Sequence, residues 1–360
     1  MYRTEHPNPQ FERKSYKCLN GKWEFETGAG EGKQNAEFKS KIEVPFCPEA
    51  RLSGIGKTEL FTDCIYARDI EISPDDLKGR VFLHFGAVDH LAQVYVNGES
   101  AGRHMGGYTA FCVEITPFVM AGKNKITVCV HDDVRENYPS GKQVKSELPH
   151  GCFYTRVTGI WQTVWLECTP REYIKSVKFY PDAEKCRVKA ELITEGEGNT
   201  EISVFYKGRL VGYAKGDGYY RQNFDIKLSE KHLWELGKGR LYNVTITFGH
   251  DEVKSYFGLR DVRYEGKKFL LNGRSVFQRL VLDQGYYCEG HYTAPDVEAM
   301  KKDIELGLSL GFNGARLHQK VFEQRFLYEC DRAGYMVWGE YPSWGVEYEN
   351  LDGLGQFVNE

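Results

Sequence analysis

The sequence predicts a multidomain, β-rich chain: a sandwich or jelly roll, then a smaller immunoglobulin-like β-sandwich, then the opening of a parallel (β/α) barrel or doubly wound sheet. Three observations predict it. Short runs of period-two alternation, separated by turn residues, fill the first two-thirds of the chain. After Tyr256-Phe257-Gly258-Leu259-Arg260 the period changes to strand and helix in alternation. The 360 residues are too many for one compact core and suit two or three domains. The expected boundaries are 1–168, 169–257 and 258–360.

In the first part, Trp23-Glu24-Phe25 follows Asn20-Gly21, a dipeptide that signals a hairpin turn. Val81, Leu83 and Phe85 alternate with Phe82 and His84, and Ile126, Val128 and Val130 repeat the pattern. Val94-Tyr95-Val96 runs into a second Asn-Gly pair, Asn97-Gly98. Trp161 to Glu167 closes the region. No amphipathic helix of useful length interrupts these strands, so a sandwich or jelly roll is expected. The run Gly28-Ala29-Gly30-Glu31-Gly32-Lys33 invites a phosphate-loop reading. It lacks the first glycine at the right offset, and Gln34 stands where a hydroxyl would hold magnesium, so it reads as a flexible loop.

The second part opens at Tyr173-Ile174-Lys175-Ser176-Val177. Ile202, Val204 and Tyr206 alternate before a Lys207-Gly208 turn, and Val244, Ile246 and Phe248 share one face. The cysteine-tryptophan-cysteine pattern of antibody domains is missing. Nothing here looks chemical, and a spacer role is expected.

In the third part, Phe269 to Gly273 reads as a hairpin, Ser275 to Val281 as a strand, and 282–295 as a Gly/Tyr-rich loop. Asp296 to Leu310 reads as a helix with Val297, Met300, Ile304 and Leu308 on its apolar face. Ala315 to His318 is a short strand. Phe322, Phe326, Cys330 and Ala333 recur at helical spacing, with Gly334 at the C-cap position. Tyr335-Met336-Val337-Trp338 is a continuous apolar run, as for a parallel strand buried on both faces. Leu351 to Glu360 resembles the start of another helix. A (β/α) barrel takes about 250 residues, so the stretch after Leu259 holds only about its first three strands.

Composition excludes several classes. Net charge is -4, with 47 basic and 51 acidic residues and no basic block, so nucleic acid is not an expected partner. No apolar run approaches the roughly 18 residues needed to span a bilayer, and no membrane partner is expected. The polar, Pro-containing start does not read as a signal peptide. The ten cysteines form no C-x-x-C, and the ten histidines no H-E-x-x-H. Reduced thiols in a cytoplasmic protein, with no metal and no cofactor, are the expectation.

Two successive strands finish in ionisable residues, Arg316/His318 and Glu340. In a (β/α) barrel the C-terminal strand ends form the active-site mouth. The competing reading is a buried Arg316–Glu340 ion pair that merely joins strand ends.

The nine residues Gly159-Ile160-Trp161-Gln162-Thr163-Val164-Trp165-Leu166-Glu167 are similar to a GIW-x-x-VWLE signature. Asp89 to Gly98, Gly106 to Phe111, Phe257 to Arg260 with Leu271-Asn272-Gly273, and Asp303 to Arg316 match further segments in the same order. Together they resemble glycoside hydrolase family two, which includes β-galactosidases, β-glucuronidases and β-mannosidases, over essentially the whole chain. The resemblance implies retaining hydrolysis of a β-glycoside by two carboxyls about 5–5.5 Å apart. It places the acid/base Glu after an Asn beyond the fourth strand and the nucleophile Glu on the seventh. Both are expected beyond Glu360, so no catalytic residue is expected here and the chain alone should be inactive. Asn359-Glu360 imitates the dipeptide but precedes the fourth strand, and Glu360 reads as a helix-start residue.

What the resemblance leaves in this chain is sugar positioning by Asp283, Arg316, His318, Gln319, Glu340 and Trp344. Arg316 would hold a carboxylate upright. Trp344 would stack on a sugar, unless it only packs on Pro342. The large bacterial galactosidases put metal-ligating Glu and His just after this strand. Here Tyr341-Pro342-Ser343-Trp344-Gly345 offers no second ligand, so no such metal site is expected. The implied partner is a carbohydrate substrate, and a homo-oligomer is left open. The alternative function is a non-catalytic carbohydrate-binding or scaffolding protein using the jelly roll, with Tyr108 or Tyr154 as its platform.

Overall fold

The computed structural model describes residues 3–28 and 37–360. Most of the glycine-rich run read as a loop, from Ala29 to Lys33, lies outside the described residues.

Two antiparallel sheets form the first part. One runs Lys17–Cys18, Val164–Thr169, Arg80–Phe85, Phe111–Glu114. The other runs Ser40–Val44, Gly21–Thr27, Asp63–Ile72, Gly122–His131, Leu91–Val96, Glu99–Met105. The alternating residues meet between them: Trp23, Phe25, Val81, Leu83, Phe85, Ile126, Val128 and Val130 share one core. Asn97 and Gly98 turn the chain between paired strands with φ of 52° and 88°. That backbone suits Asn-Gly and explains the dipeptide. Asn20-Gly21 makes no hairpin, contrary to the sequence reading. Lys17–Cys18 pairs with Val164–Thr169 while Gly21–Thr27 joins the other sheet. The buried Asn20 side chain instead accepts from Val164 N at 3.1 Å and donates to Arg3 O at 2.6 Å.

The second part is five antiparallel strands, Tyr173–Asp182, Arg187–Tyr206, Arg209–Lys227, Leu241–Phe248 and Asp251–Gly258. Ile202, Val204, Val244, Ile246 and Phe248 form its core. Lys207-Gly208 is the expected turn, with φ of 49° and 80°.

The third part holds three parallel strands, Leu280–Asp283, Gly314–Leu317 and Met336–Gly339, in that order. Helix α1 (Val297–Ser309) connects the first two and α2 (Gln324–Ala333) the last two. Asp296 caps α1 by accepting from Ala299 N at 2.8 Å. Gly334 ends α2 at φ 70°. Helix α3 (Leu351–Asn359) follows, and Glu360 sits just past its end rather than at a helix start.

Two further readings are corrected here. The strand expected over Ser275 to Val281 lies at Leu280–Asp283. Val276 N instead continues the preceding hairpin by donating to Phe269 O at 3.0 Å, and Phe277 is exposed. The third strand is not buried on both faces: Trp338 is 52% exposed and Val337 36%. Among the described strands it pairs only with Gly314–Leu317, so its other edge has no described strand partner.

The three parts lean on one another. Arg13 donates to Glu167 at 2.6 Å and to both Asp251 oxygens at 2.9 Å, which joins the first part to the second. Phe46, Tyr108, Trp161 and Tyr292 make a buried cluster between the first and third parts.

Candidate functional site

The ends of the second and third parallel strands lie side by side because Leu317 is in register with Gly339. The next residues therefore converge. Arg316 donates from Nε at 3.0 Å and from an Nη at 2.9 Å to one oxygen of Glu340. The other oxygen of Glu340 accepts from Gln319 N at 2.9 Å and is in close contact with His318 Nδ1. Arg316 and Glu340 are thus paired, but the pair is not buried: the Arg316 side chain is half exposed.

Burial opposes ionisation of Glu340. The Gln319 N–H, Arg316 and His318 outweigh it and hold the carboxyl below its usual range. With both oxygens engaged, Glu340 is suited to orient its neighbours rather than to deliver a proton.

Gln319 fixes the next segment. Its backbone is left-handed at φ 55°. Its side-chain oxygen accepts from Ser343 N at 3.0 Å and Trp344 N at 2.9 Å, and its amide donates to Ser343 Oγ at 3.0 Å. Trp344 is therefore held beside the strand ends, with its ring edge-on to His318 at 6.2 Å. Lys142 Nζ lies 3.7 Å from the Trp344 ring centroid, and Phe153 packs at 5.5 Å. Both come from the first sandwich.

Asp283 stands apart from this group. Its backbone oxygen accepts from His318 N at 2.7 Å, but its carboxylate serves its own loop, accepting from Gly285 N at 2.8 Å. Burial raises its pKa, against the pull of Lys320.

Sequence reading missed Lys320, which is buried beside Gln319. Its ammonium donates to Gly285 O and Tyr292 O at 2.7 Å each and lies 4.8 Å from the Tyr292 ring centroid. Burial lowers its pKa to about 8. It braces the loop under Asp283. A lysine amid aromatic residues carries no periodic signal, so only the folded chain reveals this role. Lys142 was missed for the same reason.

The lectin platform does not form as expected. Tyr108 is 1% exposed, with its hydroxyl 3.1 Å from that of Tyr292. Tyr154 keeps one accessible side but stacks on Tyr286 at 4.2 Å. No group of three or more His, Cys, Asp or Glu that could hold a metal ion occurs among the described residues. No described helix is long and apolar enough to cross a membrane.

The chain is similar to several known proteins. Residues 55–170 match the model for the sugar binding domain of glycosyl hydrolases family 2. A beta-galactosidase from Thermoanaerobacter pseudethanolicus is 30% identical over 289 residues, 74% of this chain and 38% of that protein. A beta-glucuronidase from Streptococcus agalactiae is 23% identical over 93% of this chain and 58% of its own. Among solved structures, the beta-D-glucuronidase of Dictyoglomus thermophilum superposes with a TM-score of 0.80 at 24% identity, covering 96% of this chain and 61% of that one. A Ruminococcus gnavus β-glucuronidase in complex with D-glucaro 1,5-lactone gives 0.82 at 19% identity, covering 98% and 64%. At these identities the structural likeness speaks for the fold. The chain spans 38% to 60% of the length of these and similar curated relatives. Residues 55–170 thus resemble the family 2 sugar binding domain, and over most of its length the chain is similar to beta-galactosidases and beta-glucuronidases.

Proposed function

We propose that the chain is the N-terminal portion of a retaining β-glycosidase that acts on a galactoside- or glucuronide-type substrate. Its parts are then a jelly roll, an immunoglobulin-like sandwich and the first three units of a (β/α)8 barrel. The observation that carries the reading is Glu340, a carboxylate fixed by Arg316, His318 and Gln319 at the mouth end of adjacent parallel strands. Arg316, His318, Gln319, Glu340 and Trp344 form the sugar-facing group on this reading. Asp283 joins them from the first strand as a wall of the loop braced by Lys320.

The acid and the nucleophile belong to the fourth and seventh strands, which are not among the three here, so this chain positions sugar without cleaving it. Glu360 does not substitute for the acid. Its carboxylate accepts from Tyr108 N at 2.5 Å and Thr109 N at 3.2 Å on the first sandwich. The ten free thiols, three of them exposed, support a reducing, cytoplasmic setting.

Two measurements test this. The purified chain should release no nitrophenol from nitrophenyl β-galactoside or β-glucuronide above a no-enzyme blank; turnover would overturn the assignment of the carboxyls. Calorimetry should show weak binding of D-galactose or D-glucuronate that Glu340→Ala abolishes. Binding that survives the substitution would move the sugar elsewhere.

A further inference from the structure

The chain between strands Gly122–His131 and Gly159–Ile160 carries loop 138–158. Three carboxylates hold this loop. Asp132 takes its start, where the Tyr138 hydroxyl is in close contact with Asp132 Oδ1. Glu49 takes its end, accepting from Thr158 N at 3.2 Å. The Thr158 hydroxyl bears on both Glu49 and Asp132. Asp89 takes the middle. It accepts from Gln143 at 2.7 Å, and Gln143 accepts from Val157 N at 2.7 Å. The loop passes this order on to the third part, because Ser140 N and Gly141 N donate to Trp344 O at 2.9 and 3.0 Å.

The three acids are badly placed to carry charge. Glu49 and Asp132 are 3% exposed and Asp89 is fully buried. Glu49 Oε1 and Asp89 Oδ1 have no hydrogen-bond partner in the protein. Asp89 is wedged under Gly107, where a Cβ would lie 2.3 Å from Oδ1, and Glu360 covers the adjoining Gly106. Burial pushes Glu49 up to about 7, Asp132 up to about 6 and Asp89 well above the carboxylate range. Mutual repulsion adds to this, from Asp132 on Glu49 and from Asp132, Glu360 and Glu49 on Asp89. Hydrogen bonds pull the other way, joined by His131 at Asp132, but no lysine or arginine helps them.

The surroundings offer little relief. Cys47, Cys64 and Tyr66 face Glu49, and burial keeps all three neutral near pH 7. The same holds for Tyr108, Tyr286, Tyr292 and Tyr341 around Asp89 and for Tyr138 between Asp89 and Asp132. His90 stacks on Tyr138 at 4.0 Å, and burial lowers it to about 4, so it is neutral too. Beside Asp132, Asp133 is held charged by Arg135. His131 is raised by Asp63 against the effect of burial, and it gives up its charge as pH rises. Burial likewise raises Glu360, so its ionisation adds to the repulsion at higher pH.

We propose that Glu49, Asp89 and Asp132 form a pH-responsive anchor for loop 138–158: protons held by the three acids keep the loop fastened, and their loss to solvent releases it. The sign follows from burial. An acid raised in the fastened state stabilises that state fully below its ordinary range, and the contribution declines as pH rises through about 6 to 7. Release wets the carboxylates and frees Trp344 from its two backbone contacts. The anchor does not depend on the sugar-facing reading.

Hydrogen exchange of the full chain, followed by mass spectrometry and corrected for the intrinsic pH dependence of exchange, reads the loop directly. Protection of peptides within 138–158 should fall at least about tenfold between pH 6 and 8. Strand Arg187–Tyr206 of the second part should hold steady. Glu49→Gln and Asp132→Asn keep the shape and remove the titration, so each should flatten the loop's profile. Asp133→Asn, at the neighbouring acid paired with Arg135, should leave it steep. Three results would overturn the proposal: constant loop protection in the wild type, an equal fall in Arg187–Tyr206, or a profile as steep in Glu49→Gln and Asp132→Asn as in the wild type. Thermal melts identify a variant that has not folded, and the wild-type profile is a test by itself.

Discussion

Glu49 is 3% exposed, and its carboxylate accepts from Thr158 N at 3.2 Å, a long bond for a buried charge. Burial raises its pKa to about 7. The folded chain therefore binds a proton here that the unfolded chain has released, between the ordinary glutamate range and about pH 7. Stability from this group is full at lower pH and declines as pH rises through that window. Glu49→Gln keeps an acceptor for Thr158 and removes the charge. Melting curves should show the variant gaining stability over wild type at pH 8, on the order of 1–3 kcal/mol, and little near pH 4. Equal effects at both pH values would mean that the carboxyl is not the cause. Residues of this kind are invisible in sequence: Glu49 sits between a proline and an alanine with nothing to mark it as buried. Arg316, His318 and Glu340 were legible because strand ends can be counted. Lys142 could not be assigned, because its partner Trp344 lies some two hundred positions away.

At the scale of elements, the sequence reads best where periodicity and end signals coincide. Helix α1 was legible from its apolar stripe and from Asp296 at its start, and α2 from its spacing and Gly334. The hairpin turns at Asn97-Gly98, Lys207-Gly208 and Asn272-Gly273 were legible because left-handed backbone selects those residues. Asn20-Gly21 misled because the same dipeptide can carry a chain from one sheet to the other. Whether a strand pairs with its neighbour in sequence is a tertiary fact. The apolar run at Tyr335 to Trp338 fixed the strand's position but not its burial, because one edge of Met336–Gly339 has no partner among the described strands. The cap offers a local test. Asp296→Ala should cost about 1 kcal/mol in a denaturant titration, since it orphans the Ala299 N–H, and Asp296→Ser should recover most of it. An unchanged midpoint would show that water serves that donor equally well.

For the whole molecule, the site depends on how firmly the first sandwich is held, because its loop 138–158 is bound to Trp344 through Ser140 and Gly141. Arg13 is a buried tie between the first sandwich and the five-stranded second part. Its guanidinium reaches Glu167 at 2.6 Å, both Asp251 oxygens at 2.9 Å, and Ile174 O in close contact, and Asp251 also accepts from Ile174 N at 2.9 Å. Arg13 and both carboxylates are buried. Such a network is costly to assemble, and its importance shows when one member is removed. Arg13→Met preserves most of the volume but strands two buried carboxylates, with an expected cost of about 3–5 kcal/mol. Arg13→Lys should also be harmful, because a single ammonium cannot reproduce the forked contacts. The cause can be separated from lost packing. If stranded charge dominates, Arg13→Met should be most destabilising at pH 8 and milder near pH 4, where the carboxyls can take up protons. Combining it with Glu167→Gln and Asp251→Asn should then recover much of the loss. A deficit that is independent of pH and persists in the triple variant would make Arg13 a packing residue. Its aliphatic stem, rather than its charge, would then set the angle between the first sandwich and the five-stranded second part.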